Sequence, residues 1–304
     1  MQHPGPTRDL IGYGRTPPPG PWPDGARIAV NFCVNYEEGG ERTVLNGDDG
    51  SECRVSDIIT DRRIGARDLN MESNYNYGAR VGYWRLIDAF ERRSLPATVN
   101  LVGHAGDQVP DPLARMIALG WDLQPHGWRW IDYATLPEAQ ERDHIARSVA
   151  QVARLTGAPP LGYYAGLPSE NTRRIVAEHP GFLYDSDAYD DDLPYWTADF
   201  SRPVLVLPYS LDTNDSRFAR GEGYEVARDF VEYITDSFDR LYAEGADCPK
   251  MLTIGLHARL IGRPGRIGAL HRILDHMTAH DGVWIARRGD IARAWAAAHP
   301  APGG

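Results

Sequence analysis

Cysteine and lysine are both scarce in this chain of 304 residues. Its three cysteines, Cys33, Cys53 and Cys248, are odd in number and lack metal-type spacing. A disulfide framework and a zinc–cysteine site are therefore disfavoured. Lys250 is the only lysine. It stands where a strand is expected to begin, so Schiff-base chemistry and a lysine nucleophile are disfavoured too.

Long apolar runs and nucleotide-binding motifs are also missing. No segment is apolar over the length needed to span a bilayer, and the first 25 residues lack the apolar core of a signal peptide. No glycine-rich phosphate loop stands between a strand and a helix, and no G-x-S-x-G motif occurs. We therefore expect a cytoplasmic protein that contacts no membrane, uses no cofactor and is not a serine hydrolase.

The overall charge is acidic. Forty-two Asp and Glu against 32 Lys and Arg give a net charge of −10, with an isoelectric point of about 5.5. Such a surface repels phosphate backbones, so nucleic acid is not an expected partner. A hydrophobic content of 42% is enough for one large domain or two small ones.

Strand-like and helix-like segments alternate along most of the chain. Residues 1–26, rich in Pro and Gly, are predicted to form an extended arm, and 27–300 a single domain. Strands are predicted at 27–34, 97–103, 121–125, 161–165, 182–187, 204–209, 251–257 and 283–287. Helices are predicted at 78–93, 111–120, 138–156, 170–178, about 224–243, 265–280 and from Asp290. Roughly seven or eight such units favour an α/β barrel with a parallel sheet inside.

Four segments carry finer predictions. In 27–34, Ile28, Val30, Phe32 and Val34 alternate onto one face, and residues 36–77 are expected to form one long irregular loop. Asp111 is predicted as a helix N-cap and Gly120 as the stop of that helix. Helical spacing places Val81, Trp84, Ile87 and Phe90 on one buried face.

Polar and aromatic side chains follow many of the predicted strands. In barrels of this kind the chemistry sits on the loops after the strands. The residues at these positions are Glu37, Glu38, His104, His126, Tyr163, Tyr164, Asp185, Asp187, Asp212 and His257. We expect them to converge at one end of the barrel.

The carboxylates and His126 are candidates for both chemistry and structure. Glu37 and Glu38, in "NYEEGGE", could supply a general base and a second polar or metal-binding group; alternatively one faces solvent and the other caps a backbone amide. His126, in "QPHGWRWIDY", lies close to Trp128 and Trp130. The three side chains could form a pocket for a planar polar ligand, or they could be core.

His257 ends the strand "TIGLH" and is a candidate general acid. The arginines that follow it, Arg259, Arg263 and Arg266, could bind an anionic group or pair with acids of the 36–77 loop. Further candidates are Asp187, expected to orient a histidine, and the pair Asp212 and Asn214, expected to line the mouth of the site. Asp190 to Asp192 are expected to form a solvated turn.

Six motifs resemble the allantoinase branch of the polysaccharide deacetylase superfamily. They are "NYEEGGE", "MESNYNYGARVGYWRL", "HGWRWIDY", "NTRRIVAEHPGFLYDSDAYDDDLPYW", "LPYSLDTNDSRFA" and "GLHARLIGRPGR", and the similarity runs from about Arg8 to Pro300. The resemblance implies a deformed (β/α) barrel and a homo-oligomer, by analogy a tetramer. It implies that Glu37, Glu38, His126 and His257 are catalytic.

The resemblance also bears on metal binding and on substrate. Deacetylases of the superfamily complete a metal site with a His-x-x-x-His motif, but Trp130 stands at the second histidine, so we expect no metal unless His104 replaces that ligand. The allantoinase pattern has an arginine at Leu167, an acid at Asn76, a threonine at Ala165, a serine at Pro125, and apolar residues at Asn100 and His104. These departures imply a reshaped pocket, with substrate contacts from Asn100, His104, Trp130, Tyr164, Asp187, Asp212 and Arg259.

The expected function is hydrolysis of a C–N bond in a small molecule, opening a cyclic amide, ureide or imide by general acid–base activation of water. One alternative is removal of a linear N-acyl or N-formyl group from a small metabolite. Another, of a different class, is a non-catalytic barrel that binds a small ligand.

Overall fold

The computed structural model describes residues 6–221 and 223–302. In this part of the chain there are nine strands: β1 (Ile28–Tyr36), β2 (Thr98–Leu101), β3 (Asp122–Pro125), β4 (Gly162–Tyr163), β5 (Tyr184–Asp185), β6 (Tyr195–Thr197), β7 (Val204–Val206), β8 (Lys250–His257) and β9 (Val283–Ile285). The α-helices are α1 (Leu69–Tyr77), α2 (Tyr83–Glu91), α3 (Gly103–Gln108), α4 (Pro110–Ala118), α5 (Glu138–Thr156), α6 (Thr172–Glu178), α7 (Ala227–Glu244), α8 (Pro264–Thr278) and α9 (Arg288–Ala298).

The strands form two sheets that meet at two seams. The first has the parallel order β3-β2-β1-β8, with β9 beside the first half of β1; the second has the order β4-β5-β7-β6, with β6 antiparallel. The amide of Tyr164 donates to Pro125 O (3.1 Å) at one seam, and that of Gly255 to Thr213 O (3.2 Å) at the other. Together the sheets form a deformed α/β barrel, which confirms the predicted fold class.

β1 is the centre of the barrel and is buried along its whole length. Ile28, Val30, Phe32 and Val34 pack outwards into the main hydrophobic core, as their alternation predicts. The opposite face carries polar groups: Asn31 Nδ2 donates to Ala286 O, and Asn35 Nδ2 donates to the hydroxyl of Tyr209. Burial on both faces is the usual condition of a parallel strand covered by crossover helices.

The structure corrects three local predictions. The 36–77 segment is not one irregular loop, because it contains α1. Asp111 lies inside α4 rather than at its N-cap, which is Val109; Gly120 does stop this helix, with a φ of +77°. Trp84 is 42% exposed. A π-helical turn over Gly78–Gly82 inserts an extra residue before α2, so the face beginning at Tyr83 is buried instead.

The N-terminal arm is only partly described, because residues 1–5 lie outside the described part of the chain. Beyond them, Trp22 is buried and its indole lies against the rings of Trp284 and Trp295. The hydroxyl of Tyr13 donates to Pro194 O (2.7 Å). No helix in the described residues is both long enough and apolar enough to cross a bilayer.

Candidate active site

Glu37 lies at the centre of a buried cluster at the carboxyl end of β1. Its Oε1 is 3.3 Å from Nε2 of His126 and 3.5 Å from Nε2 of His257. Its other oxygen, Oε2, accepts a hydrogen bond from Arg259 (2.6 Å). All four residues are at most 4% exposed. One carboxylate oxygen is therefore the common neighbour of two imidazoles.

Three strands, β1, β3 and β8, bring these groups together. They belong to one parallel sheet, in which β2 lies between β1 and β3, and they end at the same edge of that sheet. His126 follows β3 directly, and its amide donates to Leu101 O at the end of β2 (2.7 Å). His257 is the last residue of β8 and lies in register with Asn35 of β1. Convergence at the strand ends is what the sequence predicted for Glu37, His126 and His257.

The His126 ring is held by Tyr164 at the start of the β4 loop. Nδ1 of His126 lies 2.8 Å from Tyr164 O, and the two rings stack with centroids 4.9 Å apart and an interplanar angle of 3°. A carbonyl oxygen only accepts, so Nδ1 carries a hydrogen and Nε2 is left to exchange a proton with Glu37.

His257 is oriented by Asp215, which is not among the predicted site residues. Nδ1 of His257 lies 2.7 Å from Asp215 Oδ1, while Oδ2 accepts from the amides of His257 (2.7 Å) and Ile261 (3.2 Å). Burial disfavours the imidazolium, but the carboxylates of Glu37 and Asp215 outweigh it and raise the pKa of His257 to about 9. His257 is therefore cationic at neutral pH.

Arg259 bridges the two adjacent glutamates. Its guanidinium donates to Glu37 Oε2 and to Glu38 Oε1 (3.2 Å), and its Nε donates to Val55 O (2.7 Å). Burial raises the pKa of Glu37, but Arg259 and then His257 reverse this and hold it well below its usual range. Arg259 also lies 4.1 Å from the ring centroid of Tyr75 and 5.8 Å from that of Trp130. All three nitrogens of the Arg259 guanidinium thus donate hydrogen bonds to protein acceptors.

Glu38 faces away from the histidines. Its Oε2 accepts from the hydroxyl of Tyr83 on α2, and its Oε1 from Arg259. The π-helical turn passes directly over this pair: a Cβ at Gly78 would collide with Oε1 of Glu38, and one at Gly82 with the carbonyl of Ala258. Glycine at these two positions is what lets the turn approach the site so closely.

Three predicted site residues have their hydrogen-bond partners outside the cluster. His104, on α3, is bonded to Asn46 (Nε2 to Oδ1, 3.2 Å) rather than to the cluster, and Asp212 is exposed, where its Oδ2 accepts from Tyr233 (3.0 Å). The carboxylate of Asp187 accepts from the amides of Ala165 and Gly166 (2.7 and 2.8 Å), so it orients no histidine. Burial and the neighbouring Asp185 raise the pKa of Asp187 to about 8.

The aromatic and amide candidates divide between the site and its surroundings. Trp130 is buried above Arg259. Trp128 lies apart from the cluster, and the guanidinium of Arg147 stacks over its ring, 4.0 Å from the centroid. Asn100 is fully buried inside the barrel, where its Nδ2 donates to Asn35 (2.9 Å). Arg263 and Arg266 were predicted either to bind an anionic group or to pair with acids of the 36–77 segment. They pair with Asp57 of that segment.

Comparison with known proteins identifies the family. The polysaccharide deacetylase family model matches residues 70–180. A putative polysaccharide deacetylase of Schizosaccharomyces pombe is 40% identical over 97% of this chain and 98% of its own. The chain belongs to the polysaccharide deacetylase family.

Two solved structures confirm the resemblance to the allantoinase branch. The PuuE allantoinase structure is 51% identical, covers 96% of this chain and 98% of its own, and has a TM-score of 0.94. A probable polysaccharide deacetylase from Pseudomonas aeruginosa has the same identity and TM-score, covering 96% and 99%. This polysaccharide deacetylase homologue is accordingly a hydrolase of C–N bonds other than peptide bonds.

The residues present do not fit the metal of the deacetylases. The indole of Trp130 offers no ligand atom, and Arg259 already places a cation on both Glu37 and Glu38. Structural and catalytic zinc sites need at least three protein ligands, and only Glu38 and His126 remain from the motif. Among the described residues, one group of three has ligand atoms within 4.8 Å of one another. It lies on the outer helices, at Asp239, His276 and His280.

We therefore expect the enzyme to keep its activity after exhaustive dialysis against a chelator. The measurement is turnover before and after dialysis, with elemental analysis of both samples. His276→Ala serves as a control, because any metal bound on the outer helices would be lost in that variant without a change in turnover. Zinc, nickel or cobalt that is stoichiometric in His276→Ala and is removed together with activity would contradict the prediction.

Proposed function

We propose that the protein opens a small cyclic amide, ureide or imide by hydrolysing a ring C–N bond. The observation that carries the proposal is Glu37 Oε1, which faces Nε2 of both His126 and His257 in a buried site. A carbonyl flanked by two nitrogens or acyl groups is more open to attack than an ordinary amide carbonyl. Acid–base catalysis by side chains can therefore suffice.

The base is the His126–Glu37 pair. A water molecule attacks the ring carbonyl carbon and loses a proton to this pair, which holds it between Nε2 of His126 and Oε1 of Glu37, while the Nδ1 hydrogen of His126 is held by Tyr164 O. Because the pKa of Glu37 is held well below its usual range, the proton rests on the imidazole, and the carboxylate stabilises the resulting imidazolium. The sequence had suggested a glutamate as the base.

The acid is His257. When the tetrahedral intermediate collapses, the ring C–N bond breaks and the departing nitrogen takes the proton from Nε2 of His257. Asp215 keeps the other nitrogen of that ring protonated. The proton captured by His126 can then return to His257 through Glu37 Oε1, which restores the starting state. Water has been added across the bond, and no proton is gained or lost by the enzyme.

A substrate panel tests the proposal. Hydantoins, cyclic imides and ureides are assayed beside N-acetyl sugars and N-formyl amines, and the ring-opened product is identified by mass spectrometry. We expect turnover of at least one ring substrate. Turnover of linear N-acyl compounds alone would replace ring opening by deacylation, and tight binding without turnover would point to a non-catalytic barrel.

We expect allantoin itself to be a poor substrate. Leu167 stands where the resemblance implies an arginine, and loss of one hydrogen bond to a polar ligand costs about 1–3 kcal/mol, or roughly 10- to 100-fold in kcat/KM. The measurement is kcat/KM for allantoin in the wild type and in Leu167→Arg, which should be faster. Allantoin turnover in the wild type that exceeds every other ring substrate would overturn this prediction.

The cytoplasmic location and the homo-oligomer belong to the same proposal. The homo-oligomer rests on the resemblance to the allantoinase branch, whereas the cytoplasmic location stays a prediction from the sequence. Size-exclusion chromatography with light scattering tests the oligomer, for which a tetramer is expected.

A further inference from the structure

A pocket of ≈ 220 Å³ opens beside the catalytic cluster and is lined by Arg42, Arg54, Arg62, Glu52, Trp130 and Leu167, among others. Two of these residues tie it to the site. The indole of Trp130 lies over Arg259. Leu167 follows Gly166, whose backbone is so close to His126 that an added Cβ would lie 2.7 Å from the imidazole Cε1.

The segment that carries Arg54 is attached to the same cluster. The hydroxyl of Tyr75 donates to Arg54 O (3.3 Å), and Arg259 donates to Val55 O. The pocket wall formed by this segment is therefore fixed to the residue that bridges Glu37 and Glu38.

Arginines outnumber acids at the pocket, with Arg42, Arg54 and Arg62 against Glu52 and Asp132, although the protein as a whole carries a charge of −10. Arg62 is paired with Asp49. The structure gives Arg42 and Arg54 no ion pair with any residue of 6–221 or 223–302. Two guanidiniums that form no ion pair with the described residues are well suited to a carboxylate, which arginine binds through two parallel hydrogen bonds.

The acids of the pocket accept hydrogen bonds from the backbone, and Glu52 also interacts with the charge of Arg42. Glu52 is buried, and its carboxylate accepts from the amides of Cys53 (2.8 Å) and Arg54 (3.0 Å). Burial also raises the pKa of Glu52, which disfavours its charged form. Asp132 accepts from the amide of Ala134 (3.1 Å). Both carboxylates are thus used locally by the backbone.

We propose that the substrate carries a carboxylate, which this pocket binds through Arg42 and Arg54 while the ring lies at His126 and His257. The inference rests on the proposed function and narrows it to an acidic cyclic amide. Trp130 and Leu167 supply apolar walls for the part of the substrate between the ring and the carboxylate.

The test compares two substrates that differ in charge, hydantoin-5-acetate and the uncharged hydantoin-5-acetamide. Wild type should prefer the acid. Arg42→Met and Arg54→Met should each lower kcat/KM for the acid by roughly 10- to 100-fold, mainly through KM, and leave the acetamide within about twofold. Arg67→Met is the control, since Arg67 is exposed, pairs with Glu72 and does not line the pocket. Equal losses on both substrates, or no preference in the wild type, would overturn the proposal.

Calorimetric titration separates this proposal from ring opening. If hydantoin-5-acetate binds the wild type but not the Arg42→Met/Arg54→Met double variant, and no ring is hydrolysed, the carboxylate pocket stands and the proposed reaction falls. If the acetamide is hydrolysed as fast as the acid, the reaction stands and the carboxylate pocket falls.

Discussion

Replacing His257 with alanine is expected to reduce turnover by roughly 10²–10⁴-fold while the protein stays folded. The pKa of His257 is raised to about 9, so at neutral pH this imidazole carries the proton that the leaving nitrogen needs. The measurement is turnover per folded molecule, beside the thermal unfolding curve. His271→Ala is the matched control, because that histidine lies on α8 beside Arg93 and should keep full activity.

The pH dependence distinguishes an acid from a merely structural histidine. Because the pKa of His257 is raised to about 9, kcat/KM should hold through neutral pH and fall as pH rises past this value, where the proton needed by the leaving group is lost. In Asp215→Asn the carboxylate that stabilises the imidazolium is gone, so the alkaline fall should move to lower pH. An alkaline limb that Asp215→Asn leaves in place would assign that limb to another group.

His126→Ala should give a loss of similar size, and the double variant should lose less than the product of the two, because the histidines act as a unit through Glu37 Oε1. If His126 were core, its alanine variant would instead unfold at lower temperature and keep nearly full turnover per folded molecule.

The sequence identified the centre of the site because that centre obeys a simple geometric rule. Parallel strands end at one edge, so Glu37, His126 and His257 could be expected to meet from their positions alone. Their roles were less accessible. Whether Arg259 binds substrate or the two glutamates depends on distances between β8 and β1 that the order of residues does not contain.

The role of Asp215 could not be predicted from the sequence. The motif "LDTNDSRF" contains two aspartates three residues apart, and the predicted site residue is the first of them, Asp212. The choice is decided by a long-range contact: Asn214 forms a parallel bridge with Gly255 of β8, which sets Asp215 beside His257. Nothing local distinguishes the two acids. His104 was misplaced for a similar reason, since the chain turns into α3 immediately after β2 and carries the imidazole towards Asn46.

Removal of the Arg259 charge is expected to have the largest effect on stability. Arg259→Met should lower the free energy of unfolding by about 3–5 kcal/mol at neutral pH, because it removes the buried cation that pairs with the carboxylates of both Glu37 and Glu38. The measurement is denaturant unfolding of the variant and the wild type. Arg240→Met is the control: its guanidinium is exposed and pairs with Glu244 four residues on, so its loss should cost less than about 0.5 kcal/mol.

The loss in free energy of unfolding caused by Arg259→Met should also depend on pH in a defined direction. Without the guanidinium, only His257 and His126 still oppose the effect of burial on Glu37, so the pKa of Glu37 should be higher in the folded variant than in the folded wild type. The folded variant then takes up a proton more readily than the folded wild type, so its loss of stability relative to the wild type should shrink as pH falls into the mildly acidic range. Adding Glu38→Gln to Arg259→Met should recover part of the loss at neutral pH, since it removes the buried carboxylate of Glu38 that pairs with Arg259 in the wild type. A deficit that neither acid nor Glu38→Gln reduces would mean that Arg259 stabilises the protein through its packing against Tyr75 and Trp130 rather than through its charge.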